Sequence, residues 1–434
     1  MLPLSQNETQ YISRLAKRLW PICRSICGVG LRESLRMIDQ EIGLVTHKYQ
    51  TGAKAFDWTI PQEWSAKGAY IETLRGKKIV DFAENNLHLM NYSTAFEGVL
   101  PKAELERHLY SLPAFPDAIP YRTSYYKKDW GFCLSHRQLE KMADANYRVV
   151  VDTEHVDGFM EVGECYIKGE SEKEILLWTH FCHPSMANDQ LSGPLTLILF
   201  AKRMSVRQRL PLSVRICFAP ETIGSLAYLS ENYHVLRRNM VAGLACVLTG
   251  GGGPLSYRQT RSGIELIDEI FSNYLSDYDY DYEVNAFNPA FGNDQRQFCS
   301  PGVNLPMGSV SYTANLKTPE YHTSMDNLDK LNILNIVKMV NVLEDIYDRI
   351  CNAKVFFRSQ PHGELFLSKH GLYPQGRNEN RITPELREAI LWLLNLSDGK
   401  HSFEKIIKLS NCQQKVMNEA VHLCVKKGLI QKLT

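Results

Sequence analysis

Apolar positions along the chain change their spacing three times, and each change predicts a different kind of structure. Over residues 6–42, Leu15, Leu19, Cys23, Leu31, Leu35, Ile38 and Ile42 recur at helical spacing, interrupted at Gly28-Val29-Gly30. From about residue 50 to 160 the helical period is lost. Short alternating runs rich in aromatics and proline (FDWTIPQEW, AYIETL, KKIVDF) predict short strands and turns, with a small helix at AELERHLYSL. RVVVDTEHVDGFMEVGECYIKG predicts the two strands of a hairpin. From Glu174 onward, short continuous apolar runs (EILLWTH, LSVRICFAP, VAGLACVLTG) alternate with helical segments (PLTLILFAKRM, AYLSENYHVLRRN, IELIDEIFSNYLSDY) and end in a long helix closing near Ile350. Buried strands alternating with helices imply an α/β fold, a mostly parallel sheet sandwiched by helices.

After residue 355 the pattern predicts three helices and a terminal strand. Ser402 is placed to cap FEKIIKL, and Gly428 to end the last helix before LIQKL. That order is the order of a winged helix. The expected organisation is an α/β domain from residues 1–48 and 160–352, an inserted small β-rich domain at 49–159, and a winged-helix domain at 358–434.

Composition narrows the function classes. The chain has 434 residues, enough for two or three domains, and a formal net charge of +1. No global field draws it to nucleic acid or an acidic membrane. The start carries no basic region followed by an apolar run, and no stretch reaches the roughly 20 apolar residues of a membrane span. Eleven irregularly spaced cysteines, several in apolar runs, are expected as buried free thiols in the cytoplasm. Cys23 and Cys27 have a spacing found in some metal sites, but no second pair follows, so a helical stretch is expected to hold both.

The chemistry collects at the ends of the predicted strands, where open α/β sheets place their sites. His180 closes one strand, His183 follows, and Asp189 precedes the next helix. Imidazole and carboxylate within ten residues are a donor set suited to zinc. Glu221 stands just beyond a second strand, either as a partner of the following helix or as a ligand or base. His322 precedes Thr323, Ser324 and Asp326. Asp326 is read equally as a cap of the long helix and as part of the site.

These segments together resemble the zinc aminopeptidases that use a co-catalytic metal pair. Asn188-Asp189-Gln190-Leu191-Ser192-Gly193 matches the family's bridging-aspartate segment, and Phe218-Ala219-Pro220-Glu221 part of its base segment. Gly292-Asn293-Asp294-Gln295-Arg296 is similar to its substrate segment, and His322-Thr323-Ser324-Met325-Asp326 to its last histidine segment. The whole chain resembles a bacterial branch with an inserted β-rich domain and a C-terminal winged helix. The resemblance implies metal ligands among His180, His183, Asp189 and His322, Glu221 as general base, and Asp294 and Arg296 at the substrate. It implies one or two zinc ions and a small peptide or aminoacyl-amide substrate, with a metal-dependent deacylase of a sugar or metabolite as the alternative. A regulatory ligand-binding role is a further alternative. Three departures weaken one metal position: Cys182 and Thr222 replace carboxylates, and VAGLACVLTGGGG offers no acidic residue. A single zinc is therefore expected at least as much as a pair. The tail helix NCQQKVMNEAVHLCVKKG is only modestly basic. That argues against DNA as a partner and for an intramolecular or dimer-forming role, with homo-oligomerisation left open.

Overall fold

The computed structural model describes residues 6–277, 281–312, 319–373 and 382–433. The first residues of the expected α/β domain and the final Thr434 lie outside them.

Eight strands form the central sheet. Their spatial order is Val45–Gln50, Phe159–Ile167, Leu212–Ala219, Ser171–His180, Met240–Cys246, Met307–Ser311, Leu255–Arg258, Tyr282–Asn285. The four in the middle are parallel to one another. Antiparallel strands join them on both sides, so the sheet is mixed. Alternation along a strand divides the core in two. In Ser171–His180, Ile175 and Leu177 pack under the helices Gln6–Leu19, Val29–Ile42, Ser192–Ser205 and Ile333–Asn352. Leu176 and Trp178 face the opposite side, with the helix Ile223–Asn239.

The first helix ends where Pro21 removes a backbone donor and forces Trp20 away from helical geometry. Trp20–Gly28 is irregular, which corrects the expectation that Cys23 and Cys27 lie in a helix. Gly28 has φ +133, and a Cβ there would lie 2.1 Å from the Trp64 carbonyl oxygen. Only glycine fits so close an approach.

The predicted hairpin at 148–169 is also corrected. Asn146–Val156 pairs with Glu63–Thr73 and Phe96–Pro101 in a separate four-stranded sheet. Phe159–Ile167 pairs instead with Val45–Gln50 and Leu212–Ala219 in the central sheet. Two turn residues carry the chain from one sheet to the other. The inserted region does not keep a core to itself: Ile71, Val149 and Val151 share one apolar cluster with Trp178, Ala219 and Tyr228.

The C-terminal region has its own core of Leu386, Ile390, Leu393, Phe403, Ile406, Met417 and Leu429. Ser402 Oγ accepts the Lys405 N–H, as expected, and Gly428 has φ +67 after the last helix. The sequence pattern missed the central strand of its small sheet, Val355–Arg358, flanked by Asp398–Ser402 and Ile430–Lys432. All eleven cysteines are free thiols. Among the described residues no helix is long and apolar enough to cross a membrane.

Candidate metal centre

Four segments meet at the carboxyl edge of the parallel strands. The first is the loop after His180, whose backbone is held by side chains at both ends. Gln190 Oε1 accepts the N–H groups of Cys182 and His183, both at 2.8 Å. Arg24, fully buried in the irregular segment between the first two helices, donates from Nε to the His183 carbonyl at 3.0 Å. The Asp326 carboxylate accepts Asn188 N–H at 2.7 Å and Asp189 N–H at 2.9 Å. Asp326 therefore clamps this loop. The cap of the long helix is Asn332, which corrects the capping role read for Asp326. Burial pushes the Asp326 carboxyl up to about 7.

The second segment carries Glu221. Thr222 adopts φ 61 and ψ −69, and Glu221 C=O accepts the Ile223 N–H at 2.7 Å. This is the strained form of the three-residue turn, and it stores about 1–3 kcal/mol at a β-branched residue. Asp294, from the third segment, holds the turn. It accepts Thr222 N–H at 2.7 Å, Ser225 Oγ at 2.8 Å and Trp178 Nε1 at 3.0 Å. Burial, with Glu221 nearby, pushes the Asp294 carboxyl up to about 6. Asp294 thus sits behind the site, differently from the substrate-facing position expected of it. Arg296 does face the cavity and forms no ion pair with Asp294. His322, on the fourth segment, is itself at φ 56.

The titratable atoms converge on Asp189. Its Oδ2 lies 3.2 Å from His183 Nδ1 and 3.3 Å from His322 Nε2. Burial opposes ionisation of Asp189, but the surrounding imidazoles hold its carboxyl well below the ordinary range. His183 Nε2 is 3.9 Å from Glu221 Oε2. Two groups are compact enough to hold an ion: His183 with Asp189 and His322, and His180 with His183 and Glu221. The two histidines of the loop differ. His180 Nε2 donates to the Asp189 carbonyl at 3.0 Å, and its Nδ1 accepts from Asn293 Nδ2 at 2.8 Å. His183 Nδ1 is buried and, despite its closeness to Asp189, has no hydrogen bond of acceptable angle. A buried imidazole nitrogen without a hydrogen bond, aimed with a carboxylate and a second imidazole at one point, fits a metal ion of zinc type.

Asn293, Arg24 and Tyr121 were not singled out from the sequence. Asn293 Nδ2 also donates to Glu221 Oε1 at 3.2 Å. Tyr121 comes from the inserted region, with its ring 4.6 Å from that of His183 and 5.5 Å from that of His322. Its N–H bonds the His322 carbonyl, and Ile119 and Ser324 exchange two further hydrogen bonds. Isolated residues in loops carry no periodic signal that would have marked them. The Gly292-Asn293-Asp294 match was the one available hint.

Beside these groups opens a cavity of about 320 Å³. Its described lining includes His180, Asp189, Glu221, His322, Arg258, Phe291, Asn293 and Arg296.

The mixed sheet between helices is a fold shared with solved zinc aminopeptidases. The chain belongs to the family described as Domain of unknown function (DUF4910), matched over residues 13–352, and a winged helix-turn-helix model matches residues 354–432. A Clostridium acetobutylicum protein named for polysaccharide biosynthesis, with an aminopeptidase-like domain, is 41% identical over 392 residues, covering 90% of this chain and 89% of its own. A crystal structure from Clostridium acetobutylicum, described as a peptidase, is 37% identical over 98% of each chain, with a TM-score of 0.79. A zinc aminopeptidase from Bacillus subtilis shares the fold at 12% identity and a TM-score of 0.57, covering 80% of this chain and 95% of its own.

Proposed function

We propose that this protein is a zinc-dependent hydrolase of an amide bond, with one metal position formed by His183 Nδ1, Asp189 Oδ2 and His322 Nε2. The observation that carries this reading is the buried His183 Nδ1, left without a hydrogen bond beside Asp189 and His322. A zinc ion held by three protein ligands lowers the pKa of a water and polarises a carbonyl. Glu221 is the general base. Asn293 occupies its Oε1, which leaves Oε2 to take the proton and return it to the departing amine nitrogen. His180, with both nitrogens engaged, fixes Asn293 and the Asp189 backbone.

Two substrate readings fit such a site: a free N-terminal residue, as for an aminopeptidase, and an N-acylated sugar or metabolite, as for a deacylase. A free α-ammonium is held most strongly by a carboxylate beyond those used for metal and base. Among the described residues the cavity lining has only Asp189 and Glu221. That favours the deacylase, and the name of the Clostridium relative joins polysaccharide biosynthesis to an aminopeptidase-like domain. The test is zinc content of the purified protein together with hydrolysis of aminoacyl amides and N-acyl sugars. Bound zinc, and turnover that falls about 10²–10⁴-fold in Glu221→Gln, are expected. Protein free of zinc, with every activity indifferent to that substitution, would overturn the reading.

A further inference from the structure

Two arginines line the cavity, and neither is neutralised. Arg258 lies on the strand Leu255–Arg258. Its Nη1 donates to the Ala286 carbonyl at 3.0 Å, and its guanidinium rests 5.0 Å over the Phe291 ring. Arg296 donates from Nε to the Asn293 carbonyl at 3.2 Å and from Nη1 to the Pro289 carbonyl at 3.5 Å. Carbonyl oxygens and an aromatic face fix the two guanidinium planes without cancelling their charge. Among the described residues no carboxylate comes within ion-pair distance of either. Other arginines are paired with carboxylates, Arg32 with Glu63, Arg203 with Glu8 and Glu344, Arg215 with Glu164 and Glu174. Arg24 is held by carbonyl oxygens but is fully buried away from the cavity.

Both arginines stand half-buried at the same opening as Glu221 and His322. Burial draws the Arg258 pKa down, as expected of a cation short of a counter-charge. The cavity's own carboxylates are committed, Asp189 to the imidazoles and Glu221 to Asn293 and the reaction. A ligand entering the cavity can supply the negative charge that its described lining does not offer these two arginines.

We propose that Arg258 and Arg296 recognise an oxyanion on the substrate, so that the enzyme takes an amide carrying a carboxylate or phosphate group rather than a free amine. This rests on the hydrolase reading above and names the substrate class for it. A guanidinium fork binds either oxyanion through paired hydrogen bonds, and an ammonium in the same place would meet like charge.

The test compares small amides matched in all but charge, using the zinc-loaded protein. N-acetylglycine and N-acetylphosphoethanolamine carry the two oxyanions, N-acetylglycinamide is neutral, and glycinamide carries a free amine. We expect kcat/KM for one of the anionic amides to exceed that for the neutral one about 10- to 100-fold, the usual worth of hydrogen bonds to a charged group. The two anionic arms distinguish carboxylate from phosphate. Arg258→Gln and Arg296→Gln are expected to erase that preference mainly through KM, and Arg258→Lys to restore part of it, with thermal unfolding confirming that each variant folds. Calorimetry with succinate and with inorganic phosphate gives a second readout that needs no turnover. Binding that weakens in the arginine variants, with no amide cleaved, upholds the anion site and sinks the hydrolase reading. Best turnover of glycinamide, with both glutamine variants unchanged, overturns the anion site and leaves the hydrolase standing. No charge preference in either readout also overturns it.

Discussion

His180 and His183 are three residues apart in the sequence, and what separates them is what each ring nitrogen already holds. His180 is saturated by Asn293 and the Asp189 carbonyl, while His183 keeps a buried nitrogen without a hydrogen bond. His183→Ala is therefore expected to lose most of the bound zinc. His180→Ala is expected to keep it and lose about 10- to 100-fold in activity, the usual effect of removing support behind a ligand. Metal analysis of the two variants decides this, and equal zinc loss in both would contradict it. Asp294 offers a second prediction at this scale. Replacing it by Asn turns one acceptor oxygen into a donor facing Thr222 N–H, Ser225 or Trp178. The expected cost is about 1–3 kcal/mol, read by urea unfolding. That His180, His183, Asp189, Glu221 and His322 would converge was legible from the sequence because His, Asp and Glu stood at strand ends. The hydrogen bonding that distinguishes them was not, since it depends on angles between segments far apart in the chain.

Strands and helices are tied by one buried charge network. Glu164, on Phe159–Ile167, accepts from Arg215 Nη1 at 2.6 Å and from Tyr228 OH at 2.5 Å, with His47 Nε2 at 3.1 Å. Arg215 in turn forks onto Glu174 at 3.0 and 2.8 Å. Burial works against the Glu164 carboxylate, yet His47, Tyr228 and Arg215 pull its pKa from 4.5 down to about 2. A depressed folded-state pKa gives stability that is present above about 4.5 and lost as pH falls through about 2. Stability of the natural protein should decline across that window, and Glu164→Gln should flatten the decline. The same substitution should cost about 1–3 kcal/mol at neutral pH, because Arg215 loses one charged partner while keeping its fork onto Glu174. Denaturant titrations from pH 2 to 7 check both, and parallel curves would refute the assignment. The elements themselves were well marked by apolar period, and Leu31, Leu35 and Ile38 are all buried as their spacing requires. The pairing of strands was not. Asn146–Val156 and Phe159–Ile167 read as a hairpin because a two-residue turn separates them, and nothing local in a strand says which sheet it will join.

At the scale of the whole molecule the winged helix is bound to the rest of the chain. Val355 and Leu433 lie in the same apolar cluster as the helix Ile333–Asn352. Ser402 Oγ donates to Glu269 at 2.6 Å, and Lys400 Nζ lies 2.9 Å from Glu265. Lys400 is half-exposed, so that ion pair is worth about 1 kcal/mol or less, and the apolar contact carries the docking. Calorimetry is expected to show a single cooperative unfolding transition, and two separated ones would mean that the C-terminal region melts independently. The sequence pattern showed a winged helix but missed the strand Val355–Arg358, a run too short to stand out, on which its attachment depends. The inserted region is joined to the rest of the chain where Ile119 meets Ser324 across 205 positions, and within the α/β region Arg24 reaches His183 across 159. Contacts this distant form late, because the entropy of closing long loops is spent before they return any stabilisation. The donors around Asp189 come together only when those closures are complete. An ion held at Asp189 in the proposed way would therefore be taken up after those closures, and its binding would report that the distant segments have met.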